Sequence, residues 1–138
     1  MLRPYFVTLA LLDQQHFIAT CRNGLVHLTW GRATIRFTRD EFPRLARLLE
    51  YATGTRPPAT FRDGAVCITT RPDEDCELQL GSLVLLLPRE EFQRFAQAVQ
   101  DATHSLDQFL AQGGFHEEPG EPEPGLLEQL KKPGFSRN

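Results

Sequence analysis

The chain has 138 residues, of which 41% are hydrophobic and 24% are charged, so it is long enough for one domain with a buried core. Its net charge of −3 excludes a general electrostatic attraction for nucleic acid or for an anionic membrane surface. Three cysteines without a short paired spacing favour a reducing compartment over a disulfide framework, and we expect a cytoplasmic protein.

The first predicted element is a strand from Tyr5 to Leu12, followed by a turn at Asp13-Gln14-Gln15. This is the longest apolar run in the chain. It is much shorter than the roughly 18–20 residues that a membrane-spanning helix needs. The sequence therefore predicts no membrane partner and no secretion signal.

Two short turns organise the next three predicted strands. Asn23-Gly24 between alternating apolar runs is typical of a two-residue type I′ hairpin, which would pair Cys21 with Val26. Gly31-Arg32 is typical of a type II′ turn and keeps the following strand on the same faces. The predicted inner face consists of Phe17, Ala19, Cys21, Val26, Leu28, Trp30, Ala33, Ile35 and Phe37. The predicted outer face consists of Ile18, Thr20, Arg22, Leu25, His27, Thr29, Thr34 and Arg36.

A helix is predicted directly after these strands. Thr38-Arg39-Asp40-Glu41 fits a capping box, in which the threonine hydroxyl and the glutamate carboxylate each accept the other residue's backbone N–H. Gly54 is a typical helix stop. The apolar stripe between these signals consists of Phe42, Leu45, Leu48, Leu49 and Ala52.

The same order of elements then repeats. A shift of 50 residues aligns 18–53 with 68–103 without a gap and gives 11 identities in 36 positions, against about 2 expected by chance. Asp63-Gly64 predicts a type I′ turn in the second copy. The strands are predicted near 58–62, 65–71, 76–80 and 83–87, and the helix near 89–111. We therefore predict an α+β fold that duplicates a strand-strand-strand-strand-helix unit, with antiparallel sheets that share one core.

The duplication also sets the domain boundaries. We expect a duplicated domain at 1–112, with repeat 1 at about 5–54 and repeat 2 at about 55–112. Residues 113–138 are rich in Glu, Pro and Gly, which is typical of a flexible tail without a core of its own. A short amphipathic segment at 126–135 is either a docking motif or an unused end. Its apolar residues are Leu126, Leu127, Leu130 and Phe135.

The sequence offers few groups for chemistry. Cys21, Cys67, Cys76 and His27 do not have the spacing of a zinc site, and the thiols are predicted to lie inward as small apolar groups. Acidic pairs at the helix starts are explained by capping and by the helix dipole. No nucleophile elbow or phosphate-binding loop is present in the sequence. We therefore expect no catalytic residue, no metal and no cofactor, and a protein that is not an enzyme.

The two copies differ most on their predicted outer faces. In repeat 1 this face offers cationic groups and hydrogen-bond donors, namely Arg22, His27, Thr29, Thr34 and Arg36. In repeat 2 the predicted outer face is apolar and includes Val66, Ile68, Val84 and Leu86. Because exposed branched side chains of this kind favour a covering partner, we expect another protein chain or a second copy of this chain to bind there.

The chain contains four strands followed by a helix, twice, and an LLLPREEF passage leads from the last strand into the second helix. This arrangement resembles the PUR-repeat and Whirly groups of single-stranded nucleic-acid-binding proteins. In those families paired repeats interlock, and aromatic and basic side chains on the sheet faces hold unstacked bases. The resemblance covers most of Tyr5 to Ala111. It implies contacts to nucleic acid from Arg22, His27 and Arg36.

Two functions therefore remain open from the sequence. The first is a non-catalytic protein-interaction or assembly subunit, which the apolar outer face of repeat 2 favours. The alternative is single-stranded nucleic-acid binding through the polar outer face of repeat 1. We prefer the first because the net charge of the chain is negative.

Overall fold

The structure is a computed structural model that describes residues 6–73 and 75–115. Its elements are β1 (Phe6–Asp13), β2 (His16–Cys21), β3 (Leu25–Trp30), β4 (Ala33–Thr38), α1 (Glu41–Thr53), β5 (Ala59–Asp63), β6 (Val66–Thr70), β7 (Cys76–Leu80), β8 (Leu83–Leu87) and α2 (Arg89–Ala111). This order confirms the α+β class and the repeated unit of four strands and a helix. The predicted docking segment at 126–135 lies outside the described residues.

Each repeat forms its own antiparallel sheet of four strands in chain order. Sheet 1 has the order β1-β2-β3-β4 and sheet 2 has the order β5-β6-β7-β8. Short turns join successive strands, as antiparallel pairing allows. Within the described residues, β1 and β4 are therefore the edges of sheet 1, and β5 and β8 are the edges of sheet 2.

The helices connect the repeats by exchanging sheets. Helix α2 packs mainly against β1 and β2 of sheet 1, whereas α1 packs mainly against β5 and β6 of sheet 2. The two helices also pack against each other, and one hydrophobic cluster contains residues of both sheets and both helices. Neither repeat has a core of its own, in agreement with the small apolar area that about 50 residues can bury. In the described part of the chain, neither helix is long and apolar enough to cross a bilayer.

Equivalent backbone contacts recur in the two repeats. The Gly31 N–H donates to the Gln15 carbonyl over 2.8 Å, and 50 residues later the Gly81 N–H donates to the Ala65 carbonyl over 2.9 Å. Both glycines have φ of +66°, a conformation that residues with a Cβ rarely adopt. The sequence repeat is therefore also a repeat of detailed turn geometry.

Two predictions of local structure are confirmed. Around Gly31, Trp30 pairs with Ala33 and the register of β3 with β4 is the predicted one. At the start of α1, the Thr38 N–H donates to Glu41 Oε1 over 2.9 Å and the Glu41 N–H donates to Thr38 Oγ1 over 3.0 Å. These two hydrogen bonds form the predicted capping box.

The predicted type I′ turn at Asn23-Gly24 is wrong. Only Gly24 of the pair has a positive φ, at +89°, and its N–H donates to the Cys21 carbonyl over 3.2 Å. This is the geometry of a three-residue loop that ends in a left-handed glycine, rather than of a two-residue loop. As a result Thr20, and not Cys21, pairs with Val26.

The shift of one residue reverses the faces of β2. Ile18 and Thr20, predicted to face outward, are fully buried on the inner face. The buried Thr20 hydroxyl donates to the Leu25 carbonyl over 3.0 Å, so its hydrogen-bonding capacity is used. The residues that face outward instead are Phe17, Ala19 and Cys21.

The same correction applies to Val66 and Ile68, which were predicted on the outer face of repeat 2. The predicted type I′ turn at Asp63-Gly64 is wrong, because Asp63 pairs with Val66 and the two loop residues are Gly64 and Ala65. Ile68 then pairs with Leu78, and both are fully buried in the core. Val66 pairs with Leu80 and is partly buried against the same core. Burial of Ile68 and Val66 therefore favours this register over the predicted one.

Candidate binding surfaces

The surface of sheet 1 that faces away from the helices is named the sheet 1 outer face. Strand pairing assigns to it Phe6, Thr8, Leu11, Phe17, Ala19, Cys21, Leu25, His27, Thr29, Thr34, Arg36 and Thr38. Four predicted site residues lie here, and the hydroxyls of Thr29 and Thr34 are 3.2 Å apart. None of the residues assigned to this face is acidic, so its charged side chain is the exposed Arg36.

Aromatic rings on this face were not predicted. Phe17 faces outward because of the register of β2, and Phe6 on the edge strand β1 is 55% exposed. Leu11, directly opposite Phe17 on β1, is also exposed. The sheet 1 outer face therefore combines apolar rings with a cation, although Phe17 and Arg36 were predicted to lie on opposite faces.

Arg22 is displaced from the face on which it was predicted. It lies in the turn between β2 and β3, and its guanidinium carbon is 5.6 Å from the ring centre of Phe115. This distance fits a cation–π contact. Phe115 in turn packs edge to face on Phe109, with ring centres 5.1 Å apart. Arg22 therefore contacts the segment that follows α2, through a ring that packs on Phe109 of that helix.

His27 contacts two neighbours on this face, Cys21 and Phe6. Its Nε2 is 3.2 Å from Cys21 Sγ, and its ring meets Phe6 edge to face at 5.1 Å. The Cys21 thiol also contacts the Asn23 side-chain carbonyl. Partial burial, and then the nearby Arg36 charge, lower the pKa of His27 below its ordinary value. The imidazole is therefore a neutral group on this face near pH 7.

We expect His27 to titrate below 6.5, the ordinary value for histidine. Because the unfolded chain then binds a proton before the folded chain does, this residue lowers the stability of the fold as the pH falls below 6.5 and has no effect above it. An NMR titration of the imidazole signals measures this pKa. In Arg36→Ala it should rise, and a wild-type pKa at or above 6.5 would contradict the described environment.

The surface of sheet 2 that faces away from the helices is named the sheet 2 outer face. It consists of Thr60, Arg62, Cys67, Thr69, Glu77, Gln79, Val84 and Leu86. Val84 and Leu86 face outward as predicted and are 48% and 60% exposed. Glu77 accepts a hydrogen bond from the Arg71 guanidinium over 3.2 Å. Val84 and Leu86 therefore lie on the same face as Glu77, whose charge is paired with that of Arg71.

All three cysteines are buried and form no disulfide. Cys76 faces the core as predicted, and burial raises the pKa of its thiol. The inward orientation predicted for Cys21 and Cys67 is wrong, since both lie on the outer faces and are buried by their neighbours there. Within residues 6–73 and 75–115, no three histidine, cysteine or acidic side chains converge as metal ligands would.

Comparisons of the chain with models of protein families, with curated proteins and with solved structures found no match.

Proposed function

We propose that the protein is a non-catalytic assembly subunit that associates with a second copy of itself through the edge strand β8. The supporting observation is the exposure of Val84 and Leu86 on a strand that pairs only with β7 in the described part of the chain. The sequence of β8 is LVLLL, without a charged or polar residue.

Edge strands that remain unpaired in soluble proteins usually carry a lysine, a proline, a bulge or a covering element, because their free backbone groups otherwise recruit another strand. The five residues of β8 carry no lysine or proline, and the pairing of β8 with β7 is regular along its whole length. The strand itself therefore carries none of the first three of these protective features.

Repeat 1 provides an internal comparison for this edge. Strand β4 occupies the same position in sheet 1, and its outward residues are the exposed polar side chains Thr34, Arg36 and Thr38. At the positions of the first two, β8 has Val84 and Leu86. The fold thus tolerates polar residues on the outward side of an edge strand. Folding alone therefore does not require the apolar residues of β8.

A second copy fits this edge because a strand can pair antiparallel with itself about a twofold axis. Such pairing would satisfy the free backbone N–H and carbonyl groups of β8 and join two sheets into one. It would also place Val84 and Leu86 of one copy beside those of the other on one continuous sheet face, where apolar cross-strand pairs contribute about 0.2–1 kcal/mol each. Light scattering after size-exclusion chromatography, on the wild type and on variants of β8, tests the proposal.

A second candidate function is the binding of single-stranded nucleic acid on the sheet 1 outer face. The observation that favours it is the presence of Phe6 and Phe17 on the same face as Arg36, among residues that include no carboxylate. Aromatic rings stack on unpaired bases at about 1–3 kcal/mol per base, and arginine neutralises phosphate.

We expect Phe17→Ala to weaken binding to an oligothymidylate with no change in its salt dependence, because stacking does not release counterions. Arg36→Ala should weaken binding and lower the slope of log affinity against log salt by about 0.7. Fluorescence anisotropy at several salt concentrations measures both effects. Arg62→Ala on the sheet 2 outer face is the matched control. A wild type that does not bind at low salt, or equal losses in both arginine variants, would exclude this function.

A further inference from the structure

A cavity of about 330 Å³ lies between the edge of sheet 1 and the two turns of sheet 2. It is lined by Ile35, Arg36, Phe37, Glu41, Arg44, Leu45, residues 63–66, Leu80 and Gly81. Three consecutive residues of β4 line the cavity. Because neighbouring residues of a strand point to opposite faces, a cavity on one face of the sheet would not contact all three. The cavity therefore lies along the free edge of β4, and its volume is within the range of about 300–1,000 Å³ that is common for ligand sites.

The internal repeat identifies what fills the equivalent place in the other half of the molecule. Leu80 in the cavity corresponds to Trp30, whose indole is buried. The indole N–H of Trp30 donates to Glu91 Oε2 over 2.9 Å. Its ring packs edge to face on Phe95 at 5.0 Å and on His16 at 4.7 Å between ring centres.

In the cavity, the indole and its two ring neighbours have smaller apolar counterparts, and the glutamate has a glutamate as its counterpart. The counterparts of Trp30, His16, Phe95 and Glu91 are Leu80, Val66, Leu45 and Glu41. The three apolar replacements leave open the space that the indole and its ring neighbours fill in the other repeat. The carboxylate that accepts the indole N–H is retained.

Glu41 keeps the capacity to accept a further hydrogen bond. Its Oε1 accepts the Thr38 N–H over 2.9 Å, and a carboxylate has about four acceptor positions in total. The other charged side chain on this wall, Arg44, donates two hydrogen bonds of 3.1 and 2.5 Å to Asp63. Because Arg44 and Asp63 form an ion pair with each other, Glu41 is the carboxylate on this wall that can accept a hydrogen bond from a ligand. It occupies the position in repeat 1 that Glu91 occupies in repeat 2.

From these contacts we infer that the cavity binds an indole ring, supplied as the tryptophan side chain of a partner polypeptide. The free edge of β4 beside the cavity offers backbone groups with which an extended partner segment can pair. The indole N–H would donate to Glu41, as that of Trp30 donates to Glu91. This inference is independent of association through β8, which lies at the edge of the other sheet.

The test is a titration of the full-length chain with N-acetyl-tryptophanamide, a blocked tryptophan, followed by amide NMR spectra. We expect saturable shifts at cavity residues, among them Gly64 and Gly81. Leu80→Trp places a covalent indole in the cavity, as repeat 1 does, and should lower the affinity at least tenfold. Glu41→Gln retains the capping box but removes the charge, and should weaken binding about three- to tenfold.

Glu91→Gln is the matched control, since it makes the same change at the equivalent helix position outside the cavity. It should leave the affinity for blocked tryptophan unchanged. If Leu80→Trp does not fold, the comparison of Glu41→Gln with Glu91→Gln decides the question. Absence of saturable shifts, equal affinities in these two variants, or binding of free indole without binding of blocked tryptophan would overturn the inference.

Discussion

Replacement of Val84 and Leu86 together by glutamate is expected to convert the associated protein into a monomer without loss of the native circular dichroism spectrum. Both side chains are about half exposed and point away from the core, so the fold does not depend on them. In the proposed pair of β8 strands, however, the glutamates of one copy would lie near those of the other. Like charges directly opposite across antiparallel strands are destabilising.

The matched control is Thr34→Glu with Arg36→Glu, at the same positions of β4 in repeat 1. We expect this variant to retain the oligomeric state of the wild type. Light scattering after chromatography measures the mass of each variant. Association that survives both substitutions in β8 would contradict the proposal, and so would equal dissociation of both double variants.

Trp30→Ala is expected to lower the free energy of unfolding by about 3–5 kcal/mol, the usual cost of removing a large buried aromatic side chain. The change leaves a void against Phe95 and removes the hydrogen bond to Glu91. Because Trp30 is in sheet 1 whereas both partners are in α2, the contact joins the two repeats. Urea denaturation followed by circular dichroism measures the loss, since this variant has no tryptophan left for fluorescence.

Tyr51→Ala provides the control for this experiment, because Tyr51 is an exposed aromatic residue on α1. We expect this change to alter the stability by about 0.5 kcal/mol or less. A loss of stability in Trp30→Ala as small as that in Tyr51→Ala would show that the contact between sheet 1 and α2 does not stabilise the fold.

Local signals in the sequence predicted local structure correctly. The capping box at Thr38 and Glu41 and the turn at Gly31 depend on residues within a few positions of one another, and both are present as predicted. The 50-residue repeat likewise predicted the order of the elements. The capping box and the turn follow from interactions between residues that are close together in the chain.

The register of β2 was predicted wrongly because Asn23-Gly24 is compatible with more than one hairpin loop. A three-residue loop also places a glycine in the left-handed conformation, and it shifts the pairing by one residue. A different signal was available in the repeat. Ile18 and Thr20 are identical to their counterparts Ile68 and Thr70, and all four are buried. At these two positions, identity between the copies indicated the core correctly, whereas the turn did not.

The binding surfaces were only partly predictable. Exposure of Val84 and Leu86 followed from the alternation of β8 alone. The aromatic residues of the sheet 1 outer face and the cavity beside β4 were missed. The first depends on the register of β2, and the second depends on the exchange of helices between sheets, which brings Leu45 and Leu80 together.

Sedimentation of the wild-type, full-length chain over a range of concentrations tests the proposed assembly most directly. Association through β8 predicts a species of at least twice the chain mass of 15.7 kDa, with a fraction that rises with concentration. A single species of 15.7 kDa at every concentration would contradict the proposal that this protein functions by pairing with a second copy of itself.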